Sequence, residues 1–524
     1  MKQRQEIEEK YLWDLSSICP SDEVWEERFV KLKELTKKLE GFRGTLSDEG
    51  KLREFLFIKR EHGRTISDLY VYARMKRDED TTVSKYQAMS DRIETYSSDA
   101  SARLAFVMPE LTALSDETLD KLMIDPTLAD FDVFFREVKR HKRITLSEKE
   151  ERILAEVGSF ADNPHDVFSM FDNADIKFPD VEDENGNAVK MSHGVYSLLL
   201  QNQNQEVRKR AFESMFGVYR DHVNTLAQVY AGNVKKDRFY SKIRGFKSSL
   251  EYSMYLEDVD KACYDMLLKA VGKATPSLHR YIALRKKVLG VETLNMYDLH
   301  VPIVKSQNIA LKYEDAYDLV MEALSPLGEE YAKLLDRARN ERWIDVYETK
   351  GKRSGAYSWG TYDSHPYVLL NYQETTHDVF TIAHELGHAM HSYMSNKAQP
   401  YEKARYEIFV AEIASTVNEV LLLKHLLKSA KGEMRKYLLS YYLDMFRTTL
   451  FRQTMFAEFE QAVHGAYSEG EPLTAEMLCD LYYDLNKKYY GDAVNHNELI
   501  KYEWARIPHF YSSFYVYKYA TGLT

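Results

Sequence analysis

Cysteine is nearly absent from this chain: Cys19, Cys263 and Cys479 are the only three in 524 residues, odd in number and far apart. That excludes a disulfide framework and a cysteine-based zinc ribbon, suits a reducing compartment, and leaves any metal to histidine and carboxylate. No run of about 18 apolar residues occurs, and the charged opening Met1-Lys2-Gln3-Arg4-Gln5-Glu6 leads into no apolar core. The expectation is a cytoplasmic protein that is neither exported nor held in a membrane. Lysine and arginine form no stripe that could track phosphates, and the formal net charge is −11, so nucleic acid is excluded as a partner. Prolines number only 12, and no Pro/Gly/Ser-rich linker or repeat separates modules, so two or three lobes should pack together.

What is present is mostly amphipathic helix. From Trp25 to Leu39 the apolar Phe29, Leu32, Leu35 and Leu39 recur every three or four residues among Lys and Glu. Similar patterns run through roughly 50–160 and 193–290. The rhythm breaks twice. Around Asn185-Gly186, alternating apolar residues between Ile176 and Met191 predict a small β-hairpin inserted after an N-terminal helical region. Between Trp343 and Tyr372, glycines at 351, 355 and 360 interrupt segments rich in Tyr, Val and Leu, which predicts two or three strands of a small sheet. The 38 tyrosines suit either a wet, polar-lined cavity or tyrosine-rich helix interfaces.

Directly after the sheet, Thr375 and Asp378 have the spacing of a capping box, so a helix should run from about 376 to 395. It carries His384-Glu385-Leu386-Gly387-His388. Residues four apart share one helix face, so the two imidazoles can converge on one metal ion. Glu385 lies about 100° further round, beside the metal, where its carboxylate can take a proton from a metal-bound water. Catalytic zinc needs a third protein ligand and keeps a position for water. His391 and Met394 stand where another zincin subclass would place Gly and His, so that pattern fails. The helical segment Tyr406–Leu423 offers Glu412 instead, set among Phe409, Ala414 and Val417, where a carboxylate is costly without a cation or donor. Glu419, seven residues on, could bind the free ring nitrogen of a ligand histidine, and His391 is expected to support the site without ligating.

At these residues the chain resembles a known family. HELGHAMHSYMS, the preceding GAYSWGTYDSHPYVLLNYQETTHDVFTIA, the following QPY, VAEIASTVNE and the opening YLWDLSSI closely resemble the oligoendopeptidase F group of the thimet-oligopeptidase family of zinc peptidases. The resemblance implies a mostly α fold with a zincin-like catalytic domain, a small β-sheet and helical lobes enclosing a deep substrate channel. It further implies one zinc ion per chain and intracellular cleavage of internal bonds in oligopeptides. The family's metal ligands and catalytic glutamate fall on His384, His388, Glu412 and Glu385. The segment His509–Tyr519 resembles the one that supplies a histidine and tyrosines to the reacting carbonyl, which points to His509, Tyr515 and Tyr517, with Tyr511 next as a substrate contact. Strand addition at Gly355, Ala356, Tyr357 and Gly360 would hold the substrate backbone. The expected division is residues 1–110, an N-terminal helical region; 111–195, a helical lobe with the hairpin; and 196–524, a catalytic domain cut short relative to family members that carry further helices.

Two readings from other classes compete. A di-iron bundle uses Glu-x-x-His on two facing helices; Glu374-x-x-His377 and Glu385-x-x-His388 exist here but share one continuous segment. A non-catalytic peptide-binding protein would be favoured only without Glu385, which is present.

Overall fold

The computed structural model describes residues 2–304 and 310–524. It is 72% helical with only small sheets, which makes the chain a mostly α protein. No described helix is long and apolar enough to cross a membrane. The chain forms two compact units, each discontinuous in sequence: Met1–Glu156 with Asn308–Ser429, and Val157–Gln307 with Ala430–Thr524.

The first unit begins with helices Asp22–Glu40, Glu49–Glu79 and Ser84–Arg103, the first two capped by Ser21 and Asp48 side chains that accept from Val24 and Lys51 amides. Their apolar stripes close over Trp25, Phe29, Leu32, Leu69, Met75 and Ile93, and Tyr367 and Leu369 of a strand far along the chain enter the same core. That strand, Tyr367–Tyr372, is the centre of a three-stranded sheet. Strand Ile344–Tyr347 pairs parallel to it on one side, and Tyr357–Trp359 antiparallel on the other, with Ser358 opposite Val368. Tyr357–Trp359 is therefore an edge strand. The expected hairpin is also present in the second unit, Val181–Glu182 against Ala188–Val189, with Gly186 at φ +80° in its turn.

The capping box forms as the sequence predicts: the Asp378 amide donates to Thr375 Oγ1 at 3.2 Å, and the Thr375 amide to Asp378 Oδ2 at 3.0 Å. It opens the helix Thr376–Ala398. Helix Ile408–Ser429 crosses it at backbone contact. A Cβ on Gly387 would lie 2.6 Å from Ser415 Cα and 2.7 Å from the Ala414 carbonyl oxygen, so only glycine fits there. Beside the crossing, buried Asn418 donates to the Ala383 carbonyl at 2.9 Å and ties the two helices together.

In the second unit, tyrosine is a core residue. Tyr264, Tyr482, Tyr489 and Tyr517 are fully buried, and their hydroxyls find internal acceptors, such as Ala457 O for Tyr264 at 2.7 Å and Glu503 Oε2 for Tyr482 at 2.5 Å. Of the two readings of the tyrosine excess, packed interfaces with satisfied hydroxyls account for these residues.

The crossing generates a test. Gly387→Ala should cost about 1–3 kcal/mol of stability in urea unfolding, because the added methyl meets backbone that cannot swing away. It should also weaken binding of a metal ion at His384 and His388, by spreading the two helices. Wild-type midpoint and wild-type metal affinity together would show that the contact constrains nothing.

Candidate metal centre

The two crossing helices bring three donor atoms together. His384 Nε2 and His388 Nε2 are 3.2 Å apart, and Glu412 Oε2 stands 3.5 Å from the first and 3.6 Å from the second. Ligands bound tetrahedrally to zinc at its usual bond lengths lie about 3.3 Å from one another. The three side chains thus fit a single zinc ion, and among the described residues they form the one such cluster of His, Cys, Asp and Glu. Among the described residues, the paired Glu-x-x-His arrangement of a di-iron site has no second cluster to serve it.

Each ligand is aimed by a neighbour. Glu419 Oε1 takes the Nδ1 side of His384 at 2.5 Å, which leaves Nε2 for the cluster. The Ala411 backbone favours the protonated form of the His388 ring. Ser415 donates to Glu412 Oε2 at 2.9 Å. Glu385 differs: it is buried, and its Oε2 has no hydrogen-bond partner. Burial first, opposed by His384 and reinforced by Glu412 and Glu419, pushes its carboxyl up to about 7, while the Ser358 backbone draws it down. Burial pushes His384 down, but the bond and charge of Glu419 outweigh it, and the net shift is upward. His388 is lowered to about 4 by burial and by the charge of His384. These are the balances of the donor atoms by themselves; a divalent cation among them would favour the neutral imidazoles and the ionised carboxylates.

The remaining expected residues are distributed as follows. His391 is not among the clustered donors and stacks on Tyr406 at 3.8 Å. Gly355 takes φ +85°, and its carbonyl accepts from Asn371 Nδ2 at 2.7 Å; Ala356 follows it into the edge strand. Tyr357 sends its hydroxyl to Asp78 Oδ2 at 2.9 Å, so only its backbone is left for a substrate. Gly360 is needed sterically, since a Cβ there would lie 3.0 Å from Pro366 Cα.

In the second unit, His509 is half-buried and flanked by the rings of Tyr515 and Tyr519, with Tyr519 Oη 3.4 Å from His509 Nε2. Tyr517 is completely buried, and its hydroxyl donates to Glu257 Oε2 at 2.9 Å. Tyr511 is buried and stacks on Phe168 at 4.5 Å. Sequence reasoning missed Tyr519, although it lies in the segment singled out, and also Gly387, Ser358 and Asn418. Gly387 stood inside the motif, but no spacing rule names the backbone it meets.

Comparison with known proteins gives the chain's family and relatives. Residues 198–524 match Peptidase family M3, and residues 110–178 match its Oligopeptidase F region. The chain is 43% identical over 522 residues to oligopeptidase PepF of Bacillus subtilis, covering 99% of this chain and 78% of that one. It is 42% identical over 528 residues to an oligoendopeptidase F homolog of Lactococcus lactis, covering 99% and 87%. Among solved structures, a putative peptidase from Chlamydophila abortus superposes with a TM-score of 0.89 at 34% identity, over 99% of this chain and 88% of that one. Oligoendopeptidase-F from Enterococcus faecium gives 0.74 at 35% identity, over 96% and 86%.

The Glu419 contact yields a second test. Glu419→Gln should weaken zinc affinity by about 10–100-fold in chelator competition, because His384 loses the charge that fixes its ring and raises its basicity. Unchanged affinity would reduce Glu419 to a packing residue.

Proposed function

The chain belongs to peptidase family M3, and from that membership we propose that it is a cytoplasmic, zinc-dependent endopeptidase that hydrolyses internal bonds of oligopeptides with Glu385 as the proton-transfer group. That it is a metalloendopeptidase follows from the family. The observation that carries the finer reading is the set of three donor atoms 3.2–3.6 Å apart with a buried, half-unpartnered carboxylate beside them.

His384, His388 and Glu412 would hold the ion. Zinc, when bound, supplies Lewis acidity: it polarises the scissile carbonyl and makes water acidic enough to lose a proton near neutral pH. Glu385 accepts that proton from the attacking water, for which its Oε2 has no competing donor, and passes it to the leaving amine. The edge strand Tyr357–Trp359 offers the backbone of an extended peptide a place to pair, which supports tolerance of many sequences and sparing of folded proteins. Relatives named oligoendopeptidase F support oligopeptides as the substrate class. Three unpaired cysteines support the cytoplasm. Oxyanion stabilisation is assigned to His509 with a neighbouring tyrosine hydroxyl, on the resemblance of that segment alone.

Glu385→Gln should keep about one zinc per chain yet lose roughly 10²–10⁴-fold in turnover, whereas His384→Ala should lose the metal itself. Equal metal loss in the two variants would merge roles that this reading separates. Chelated wild type should recover its activity on adding zinc. For the tyrosines, Tyr515→Phe or Tyr519→Phe should lower turnover more than Tyr517→Phe. Loss of the Tyr517 hydroxyl should appear instead as about 1–3 kcal/mol of lost stability, since it leaves Glu257 short of a donor. A large fall in turnover for Tyr517→Phe alone, with stability intact, would restore it as the oxyanion donor.

A further inference from the structure

The face of the metal helix that carries His384 and His388 continues, at the same four-residue step, to Ser392 and Asn396. Both line a cavity of about 710 Å³ within the first unit, bounded also by the edge strand and its following turn, Ser358–Tyr362, and by the segment Tyr401–Tyr406. At the helical rise, Ser392 lies about 6 Å and Asn396 about 12 Å beyond His388 along the axis. An extended peptide advances about 3.3 Å per residue. A substrate paired along the edge strand, with its scissile bond at the metal, would therefore set the residue two to four positions away against this cavity.

The polar groups on the walls are mostly engaged. Ser392 Oγ and Tyr406 Oη are 2.9 Å apart, Asn396 donates to Thr361 O at 3.1 Å, and Tyr362 donates to Gln399 O at 3.0 Å. Two lining residues are charged, Glu402 and Arg405. Glu402 is held by Arg60, whose Nε donates to Glu402 Oε1 at 2.6 Å. Arg405 is exposed and forms no hydrogen bond or ion pair with any described residue. Glu402 shares Arg60 with Asp130 and keeps its Oε2 unpartnered; Arg405 is the lining cation with no partner among the described residues, a guanidinium whose planar fork matches a carboxylate. In a chain of net charge −11, a local cation of this kind lets an acidic group approach the cluster of Glu385, Glu412 and Glu419.

We propose that this cavity is a substrate subsite for a carboxylate, read by Arg405, two to four residues from the bond that is cut. The inference rests on the peptidase reading above, and its ligand is either an Asp or Glu side chain or the peptide's own terminal carboxylate. Arg405 acts as a specificity residue and takes no part in bond breaking.

The test uses fluorescent peptides that carry Glu, Gln or Lys at each position from two to four on either side of a fixed cleavage site, with free and amidated C-termini. Dissociation constants are measured on the zinc-loaded Glu385→Gln protein, and kcat/KM ratios on the wild type. At one position Glu should be favoured over Gln by about tenfold, and the Arg405→Glu protein should reverse the order to favour Lys. Were amidation to abolish the preference while internal Glu had no effect, the terminal carboxylate would be the ligand read. An unchanged charge profile in Arg405→Glu, or none in the wild type, overturns the subsite while leaving the peptidase intact. A wild type that cuts no peptide overturns the peptidase reading, and the dissociation constants on Glu385→Gln still decide for or against Arg405.

Discussion

The contact of Gly387 with the backbone at Ala414–Ser415 is the constraint on which the rest of the centre depends. Two helices ordinarily pack 8–10 Å apart, held off by side chains; here the absence of a side chain lets them touch. Only from that distance can Glu412, with its short reach, meet two imidazoles that project from the other helix. The same approach lets Glu419, two turns further on, reach the far nitrogen of His384. One histidine therefore bridges two glutamates of the facing helix, with Glu412 on its metal side and Glu419 behind it. The buried bond from Asn418 to Ala383 closes the arrangement by satisfying polar atoms that so tight a crossing hides from water.

The second constraint is on the edge strand, which must be rigid along one side and open along the other. The long helix Glu49–Glu79 supplies the rigidity. Asp78 near its end takes the Tyr357 hydroxyl at 2.9 Å and faces Arg353 at 3.2 Å, and the Thr81 amide just beyond it donates to Gly351 O at 2.7 Å. These bonds fix the approach to the strand from below, and Val368 and Leu369 pair with it laterally. The Ser358 backbone that faces Glu385 is thereby held at a set height over the metal helix. The Glu385 carboxylate and the backbone of the edge strand are then registered to each other by elements that lie some 300 residues apart in sequence.

That separation explains what the sequence could and could not disclose. Local rules expose His384, Glu385 and His388, because their relation is one helix turn, and expose the cap at Thr375, because its partner is three residues away. Glu412 was legible through its cost: a carboxylate in an apolar helix needs a cation. Interleaved units were not legible, since the packing of Tyr367 and Leu369 into the core of the first three helices follows no periodicity that a window along the chain can detect. Nor was the fate of each tyrosine. Tyr511, Tyr515, Tyr517 and Tyr519 share one segment, yet two are buried by aromatic and carboxylate partners and two remain beside His509, a difference set by Phe168 and Glu257 from distant helices.

The turn between His509 and these tyrosines shows how such a selection is enforced. Phe514 has φ +61°, a left-handed conformation that costs a bulky residue roughly 1–2 kcal/mol. Its amide donates to Glu460 Oε1 at 2.9 Å, and Ser513 just before it donates to Asp237 Oδ2 at 2.6 Å. Burial drives the Glu460 carboxyl well above the ordinary range and lifts that of Asp237 to about 6. Two carboxyl groups that would be better solvated elsewhere are thus kept inside, where one holds a backbone amide and the other a serine hydroxyl of a turn that would otherwise relax. Relaxation of Phe514 to negative φ would rotate the chain that follows, so the strained turn and the acids behind it hold Tyr515, Tyr517 and Tyr519 in the directions from which Tyr517 meets Glu257 and the other two flank His509.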